Sequence, residues 1–461
     1  MRHPTFVLSS AIALLVSTSL LRADLTVTWR CTTPDAPWVD EGTIPVLPTD
    51  HQRKSIQIYD YKKLQHIQGW GGCFNEKGWE ALSALSPADR DGVIKALFDP
   101  KDGMRLSVCR SPIGASDYAV SGPAYSLDDT PDDYDMSHFT IERDRKWLIP
   151  FIKAAIAQRK DLKIWGVPWT PPAWMKDSNT LTNGHIKTDA QTMNALALYF
   201  EKYVQAYRAE GIPVYMVMPQ NEPTISSNYT SCSWTGEELH NFLKDYMGPL
   251  FARDRVNCQI WLGTFQNSDY SYVAPTFDDP TYKTYVQGAG FQWYGDASCR
   301  FLHYEHPDLQ LMQTETPCGN HENDWNYANN QFDTIRNYME AGVNAYMLWN
   351  MVLDETGVSD GDWHQSSPVT IDTKAKKVIY NPQFYVYKHF SYYVQPGAYR
   401  IFLDGDYSDK LGYVNSNGDV VVVLKNGGDQ KNDISMGYGD FELKPSLPPH
   451  SVCTLVFHHT P

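Results

Sequence analysis

The sequence predicts a (β/α)8 barrel flanked by a small β-sandwich that both chain ends build. Three observations carry this expectation. Eight short apolar runs recur through the middle of the chain, most of them separated by stretches with helical periodicity. The outer segments lose that periodicity and alternate like strands. Two runs, the fourth and the seventh, close on glutamate, at Glu222 and Glu315. The carboxyl ends of barrel strands are where this architecture keeps its chemistry.

In order, the runs are 66–74 (HIQGWGGCF), 104–112 (MRLSVCRSP), 162–170 (LKIWGVPWT), 214–223 (VYMVMPQNEP), 259–265 (QIWLGTF), 288–294 (GAGFQWY), 309–316 (LQLMQTET) and 345–350 (AYMLWN). A helix is expected over 142–159, and another over 189–211 that stops at Gly211. A third covers Glu237 to Phe251, with Thr235 as its candidate cap. The spacer between runs five and six is short. Strand and helix alternating eight times imply a parallel barrel. A doubly wound open sheet is the rival. No Gly-rich phosphate fingerprint follows any run, and Gly69-Trp70-Gly71-Gly72 is too short for one.

At the ends, 25–31, 55–61, 399–404, 411–416, 419–426 and 451–459 read as strands, with Asn417-Gly418 and Gly427-Gly428 as turn signals. The expected organisation is strands of the sandwich over 24–65, the barrel over 66–389, and the remaining sandwich strands over 390–461. Residues 1–23 read as an export signal. Arg2 and His3 precede an apolar stretch from Phe6 to Leu21, and Ala23 is the small residue at the cut. A membrane anchor is the rival, but the run is short and Ser9, Ser10, Ser17 and Thr18 interrupt it. The expected location is therefore secreted or periplasmic.

The net charge of −15 argues against nucleic acid as a partner, because that affinity depends on Lys and Arg neutralising phosphate. It fits a neutral ligand. The 14 Trp and 29 Tyr suit stacking on sugar faces, and equally suit ordinary packing. Eight cysteines in an exported chain permit disulfides, yet no Cys-x-x-Cys framework assigns a pairing. Cys73 and Cys109, within barrel runs, read as free buried thiols.

Two carboxyl groups on one barrel face suit glycoside hydrolysis, where one protonates the leaving oxygen and the other attacks the anomeric carbon or activates water. Either glutamate alone reads equally well as a strand-end salt bridge. Arg110 lies in an apolar strand end, where it faces carboxylates or forms a structural ion pair. Asp117 follows Gly114-Ala115-Ser116 and either caps a helix or contacts hydroxyls. Trp169 is locked between prolines, as a binding surface or as core. Trp349 ends run eight with the same two readings. Tyr294 can donate to a carboxylate. His303, Glu305 and His306 lack a third ligand at metal-binding spacing, so neither a metal nor an organic cofactor is expected. Asn228-Tyr229-Thr230 is a glycosylation sequon.

Several motifs in one order make a more specific pattern: GWGGCFNE (69–76), VCRSPIGASDYA (108–119), PWTPPAWMK (168–176), QNEP (220–223), QWY (292–294), TET (314–316) and LWN (348–350). With these the chain resembles glycoside hydrolase family 30, which includes glucosylceramidases and β-1,6-glucanases. The resemblance implies Glu222 as general acid/base and Glu315 as nucleophile. It implies Asn221 on the sugar 2-hydroxyl, Arg110 beside the carboxylates, and Asp117 and Trp169 on hydroxyls at the far side of a glucose ring. It places Tyr294 near the nucleophile and Trp349 in the pocket wall. The sequence departs from the glucosylceramidase pattern at Trp70, Asn75-Glu76, Gln292 (where histidine is common), Asp362-Trp363 and the loop from Thr224 to Trp234. Those loops shape contacts beyond the scissile bond.

The expected enzyme is a retaining β-glycosidase with carboxyl groups about 5–5.5 Å apart. Its partner is a neutral β-glucoside: an oligosaccharide, polysaccharide or glycolipid of the β-1,6-glucan or glucosylceramide kind. Arg110 is expected to depress the Glu315 pKa, and Glu222 to be held protonated. A same-clan hydrolase for β-xylosides or β-fucosides is one alternative. A catalytically silent carbohydrate-binding barrel is the other.

Overall fold

The structure, a computed structural model, describes residues 25–120 and 124–459. The export signal expected over 1–23 lies outside the described residues. Eight parallel strands close a barrel in chain order: Gly69–Cys73, Val108–Pro112, Lys163–Val167, Val214–Val217, Gln259–Phe265, Gly288–Gln292, Gln310–Glu315 and Ala345–Asn350. Each falls inside one of the eight apolar runs. Trp165, Met216, Trp261, Met312 and Met347 fill the interior and are fully buried. Strand one approaches strand two so closely that a Cβ on Gly71 would lie 1.4 Å from the Val108 carbonyl oxygen. Only glycine fits there.

The helices between strands depart from expectation in two places. The stretch 142–159 is two helices, Glu142–Lys146 and Leu148–Gln158. Pro150 explains the break, because it has no N–H for the Lys146 carbonyl and its ring would clash with that group. The third helix has Thr235 as its cap, in a box with Glu238, and widens into a π turn over Phe242–Met247. The long helix Ala190–Ala209 is capped by Asp189 and ends before Gly211, whose φ is +83°. Between strands five and six lie only the short turns Tyr270–Tyr272, Ala274–Phe277 and Tyr282–Thr284.

The two chain ends share one ten-stranded sheet. Its strand Leu25–Thr32 pairs antiparallel with Ser451–His459, from Leu25↔His459 to Thr32↔Val452. Tyr438 and Phe457 lie five strands apart in that sheet, yet their ring centroids are 5.4 Å apart. A flat sheet would separate them by about 24 Å at ~4.8 Å per strand. The sheet therefore folds over on itself and encloses Val27, Ile56, Ile58, Val422 and Leu455. A disulfide joins Cys31 to Cys453, while Cys73 and Cys109 are free and buried.

The helix Pro382–Ser391 ties the sandwich to the barrel. Its His389 is fully buried, with Nδ1 2.8 Å from Thr454 Oγ1 and Nε2 2.9 Å from Thr32 Oγ1. Burial, with Arg30 and Lys388 nearby, pushes this imidazole down to about 3. It is neutral, donating at one nitrogen and accepting at the other.

Candidate active site

Arg110, in the middle of strand two, organises the barrel mouth. Its guanidinium is fully buried. Nη1 donates to Glu315 Oε2 at 2.7 Å and to the Thr314 carbonyl at 3.2 Å, while Nη2 donates to Asn221 Oδ1 at 2.6 Å. The Trp169 ring covers it, with the guanidinium carbon 4.3 Å from the centroid. Such a cation survives burial because it is paired and hydrogen-bonded.

Glu315 is the last residue of strand seven. Its second oxygen accepts from the Trp293 indole at 2.9 Å. Burial raises the Glu315 carboxyl above its ordinary range, and Arg110 and Trp293 oppose that rise without cancelling it. Arg110 does lower the Glu315 carboxyl, as expected, but burial raises it by more. One guanidinium shared among three acceptors does not outweigh complete desolvation.

Glu222 follows strand four through Pro219-Gln220-Asn221. The segment continues the strand direction, with Met218 N on the Gly166 carbonyl at 3.0 Å and Asn221 N on the Pro168 carbonyl at 2.8 Å. Glu222 then turns into the left-handed region, with φ +47°, and its N–H donates to the Thr264 carbonyl at 3.1 Å. Trp293 is also left-handed, with φ +51°. A non-glycine residue there costs about 1–2 kcal/mol, so both turns are held by their surroundings. The Glu222 carboxyl meets only neutral groups: the Tyr229 hydroxyl at 3.1 Å and the Gln292 amide nitrogen at 3.3 Å. Burial, then the nearby Glu315, pushes it up to about 8. Of the two glutamates, the one bonded to a cation keeps the negative charge and the other keeps the proton.

Both glutamates line one cavity of about 450 Å³, together with Asp117, Trp169, Trp349 and Tyr294. Asp117 has a buried Oδ1 without a protein partner, and burial followed by Glu315 pushes its carboxyl up to about 7. Trp169 and Trp349 form a wall, with ring centroids 5.1 Å apart and planes at 34°. Trp349 Nε1 is anchored on Gln365 Oε1 at 2.8 Å. Asn221 lies just beneath, its Oδ1 accepting from Arg110, from Thr264 Oγ1 at 3.0 Å and from Gln292 at 3.4 Å. Tyr294 is 75 % exposed at the rim, and it is Trp293, not Tyr294, that bonds the Glu315 carboxylate.

Residues that the motifs did not single out complete the site. Tyr229 closes over Glu222 from the loop after strand four. Trp363 stands 5.9 Å from Trp293, centroid to centroid, and extends the aromatic rim. His303 and His306 lie outside this cavity, and among the described residues no group of three His, Cys, Asp or Glu is arranged to hold a metal ion.

Known proteins share both sequence and architecture with this chain. The family described as the glycosyl hydrolase family 30 TIM-barrel domain matches residues 67–394. The lysosomal acid glucosylceramidase of Mus musculus is 24 % identical over 428 residues, covering 86 % of this chain and 81 % of that protein. The endo-1,6-β-D-glucanase neg1 of Aspergillus fumigatus is 26 % identical over 426 residues, covering 85 % of each. The solved endo-β1,6-glucanase BT3312 superposes with a TM-score of 0.82 at 25 % identity, over 94 % of this chain and all of that one. The solved SrfJ of Salmonella typhimurium gives a TM-score of 0.88 at 23 % identity, over 95 % of this chain and all of that one, a likeness of fold. The chain, a carbohydrate-hydrolysing barrel by this evidence, belongs to glycoside hydrolase family 30.

Proposed function

We propose that this enzyme is an exported, retaining hydrolase of β-glucosidic bonds, acting on β-1,6-glucan or on glucosylceramide-like glycolipids. The observation that carries the reading is the unequal setting of two carboxyl groups in one cavity. Glu315 faces a buried guanidinium, and Glu222 faces only neutral donors. The Glu315 carboxylate attacks the anomeric carbon while Glu222 gives its proton to the leaving oxygen, and the glycosidic bond breaks. Water then attacks the glycosyl ester, Glu222 takes the water's proton, and Glu315 is released. The ester neutralises Glu315, which lowers the pKa of Glu222 and suits its second role. The three donors on Asn221 Oδ1 leave its amide nitrogen for the sugar 2-hydroxyl. The unpartnered Oδ1 of Asp117 suits hydroxyls further round the ring. The Cys31–Cys453 disulfide supports an oxidising compartment.

Glu315→Gly tests the reading. It should lose turnover, and azide with an activated β-glucoside should restore part of it and yield the α-glycosyl azide. Full activity in that variant would remove Glu315 from its role. Products from gentio-oligosaccharides, laminarin, cellulose and glucosylceramide would separate glucan from glycolipid, and β-xylosides would report the same-clan alternative.

A further inference from the structure

The two oxygens of Glu222 have unlike partners. Oε1 accepts from the Gln292 amide nitrogen at 3.3 Å, and Oε2 meets the Tyr229 hydroxyl at 3.1 Å. Gln292 is fully buried, and its neighbours fix its orientation. Its carbonyl oxygen accepts from Thr314 Oγ1 at 2.9 Å, while its nitrogen also donates to Asn221 Oδ1 at 3.4 Å. Turning the amide over would set its oxygen against Asn221 Oδ1, an acceptor already bonded by Arg110 and Thr264. Gln292 is thus a permanent donor to Oε1. A protonated Glu222 must then carry its hydrogen on Oε2. The partner there is a hydroxyl, which can donate or accept.

We infer that Tyr229 is a positioning residue that follows the Glu222 proton, donating to Oε2 when the carboxyl is ionised and accepting from it when the carboxyl is protonated. The inference rests on the reading of Glu222 as acid/base. Double displacement needs Glu222 in both protonation states and one orientation. Gln292 and Tyr229 together meet that need, the first with a fixed donor and the second with a reversible one. Tyr229 makes and breaks no substrate bond. The hydrogen on Oε2 goes to the leaving oxygen, and the Tyr229 O–H turns to donate to the carboxylate left behind. When a water proton returns to Oε2, the hydroxyl turns back. The charged groups that bear on Glu222 are Glu315, which Arg110 compensates, and Asp117. Among the described residues no cation pairs with Glu222 itself.

Tyr229→Phe keeps the ring and removes the hydroxyl. The ionised form of Glu222 loses a charge-assisted donor and the protonated form only a weaker neutral bond, so its pKa rises. The alkaline limb of kcat/KM should move up by about 0.5–1 pH unit, the difference between a charge-assisted and a neutral hydrogen bond. With an alkyl or glucosyl leaving group, kcat/KM should fall about 10-fold relative to its value on 2,4-dinitrophenyl β-glucoside, whose departure needs no proton. This is a ratio within one variant, so loss of folded protein cancels. An unmoved limb, or an equal loss on both substrates, would overturn the inference. Glu222→Gln separates it from the parent reading. If that variant keeps its activity on the poor leaving group, the acid/base assignment itself fails. If it loses that activity selectively while Tyr229→Phe changes neither limb nor ratio, only the role of Tyr229 fails.

Discussion

Acid should weaken the seam between barrel and sandwich through His389. Its imidazole is fully buried between Thr32 and Thr454, and its native value lies at about 3 against an ordinary 6.5. The folded value is depressed, so the unfolded chain binds the proton more readily. Stability from this group is complete above pH 6.5 and is lost as pH falls from there toward the native value. At pH 7.5 almost no proton is bound in either state. At pH 5 the unfolded imidazole is nearly all charged and the native one is not. The difference is about 1.5 pH units at 1.36 kcal/mol each, or about 2 kcal/mol. The measurement is urea unfolding of wild type and His389→Gln at both pH values, with the disulfide intact. Other groups titrate in both proteins and cancel in the comparison. The variant should be less stable at pH 7.5, and the gap should shrink by about 2 kcal/mol at pH 5. A gap that stays constant would refute the argument, because His389 would then titrate alike in both states.

Three further outcomes follow from the site and the sandwich. Arg110→Met should abolish turnover and destabilise the protein by about 3–5 kcal/mol, since Glu315 would remain buried without its cation; a melt within 1 °C or so of wild type would contradict this. The kcat/KM profile should fall at alkaline pH as Glu222, at about 8, loses the proton it must donate, and a profile flat from pH 6 to 10 would assign the proton elsewhere. Cys31→Ser with Cys453→Ser should lower stability by about 2–5 kcal/mol, read by thermal melting, while activity in the cold is kept, because the bridge is remote from the cavity.

The barrel was legible because each strand is a run of apolar residues bounded by turns, and hydrophobic period is the strongest signal a sequence carries. The glutamates and Arg110 stood out because charge at the end of an apolar run has few packing uses. The family resemblance placed Tyr294 near the nucleophile and gave its neighbour Trp293 no role. Just past the strand Gly288–Gln292 the backbone turns left-handed at Trp293 and its indole reaches Glu315, a local turn that no sequence pattern announces. Tyr229 belongs to a loop with no period to read. Pro150 was in plain view, and helical periodicity on both sides concealed the break it causes. The disulfide and the His389 bridge join residues hundreds of positions apart, through a sheet register that no local pattern encodes.

The pairing of the first described strand with the last has a consequence for how the protein is made. Cys31 and Cys453 are 422 residues apart in sequence. At about 5–20 residues per second a ribosome needs roughly 20–80 s to span that distance. Throughout that time Leu25–Thr32 has no partner along its principal edge, and Val27 and Cys31 lack the C-terminal part of their core, Val422 and Leu455 among it. The barrel between them can form first, since its strands pair in chain order. The sandwich is then the closing event of folding, and a chain truncated by only its last nine residues, 453–461, would leave its beginning as well as its end unzipped.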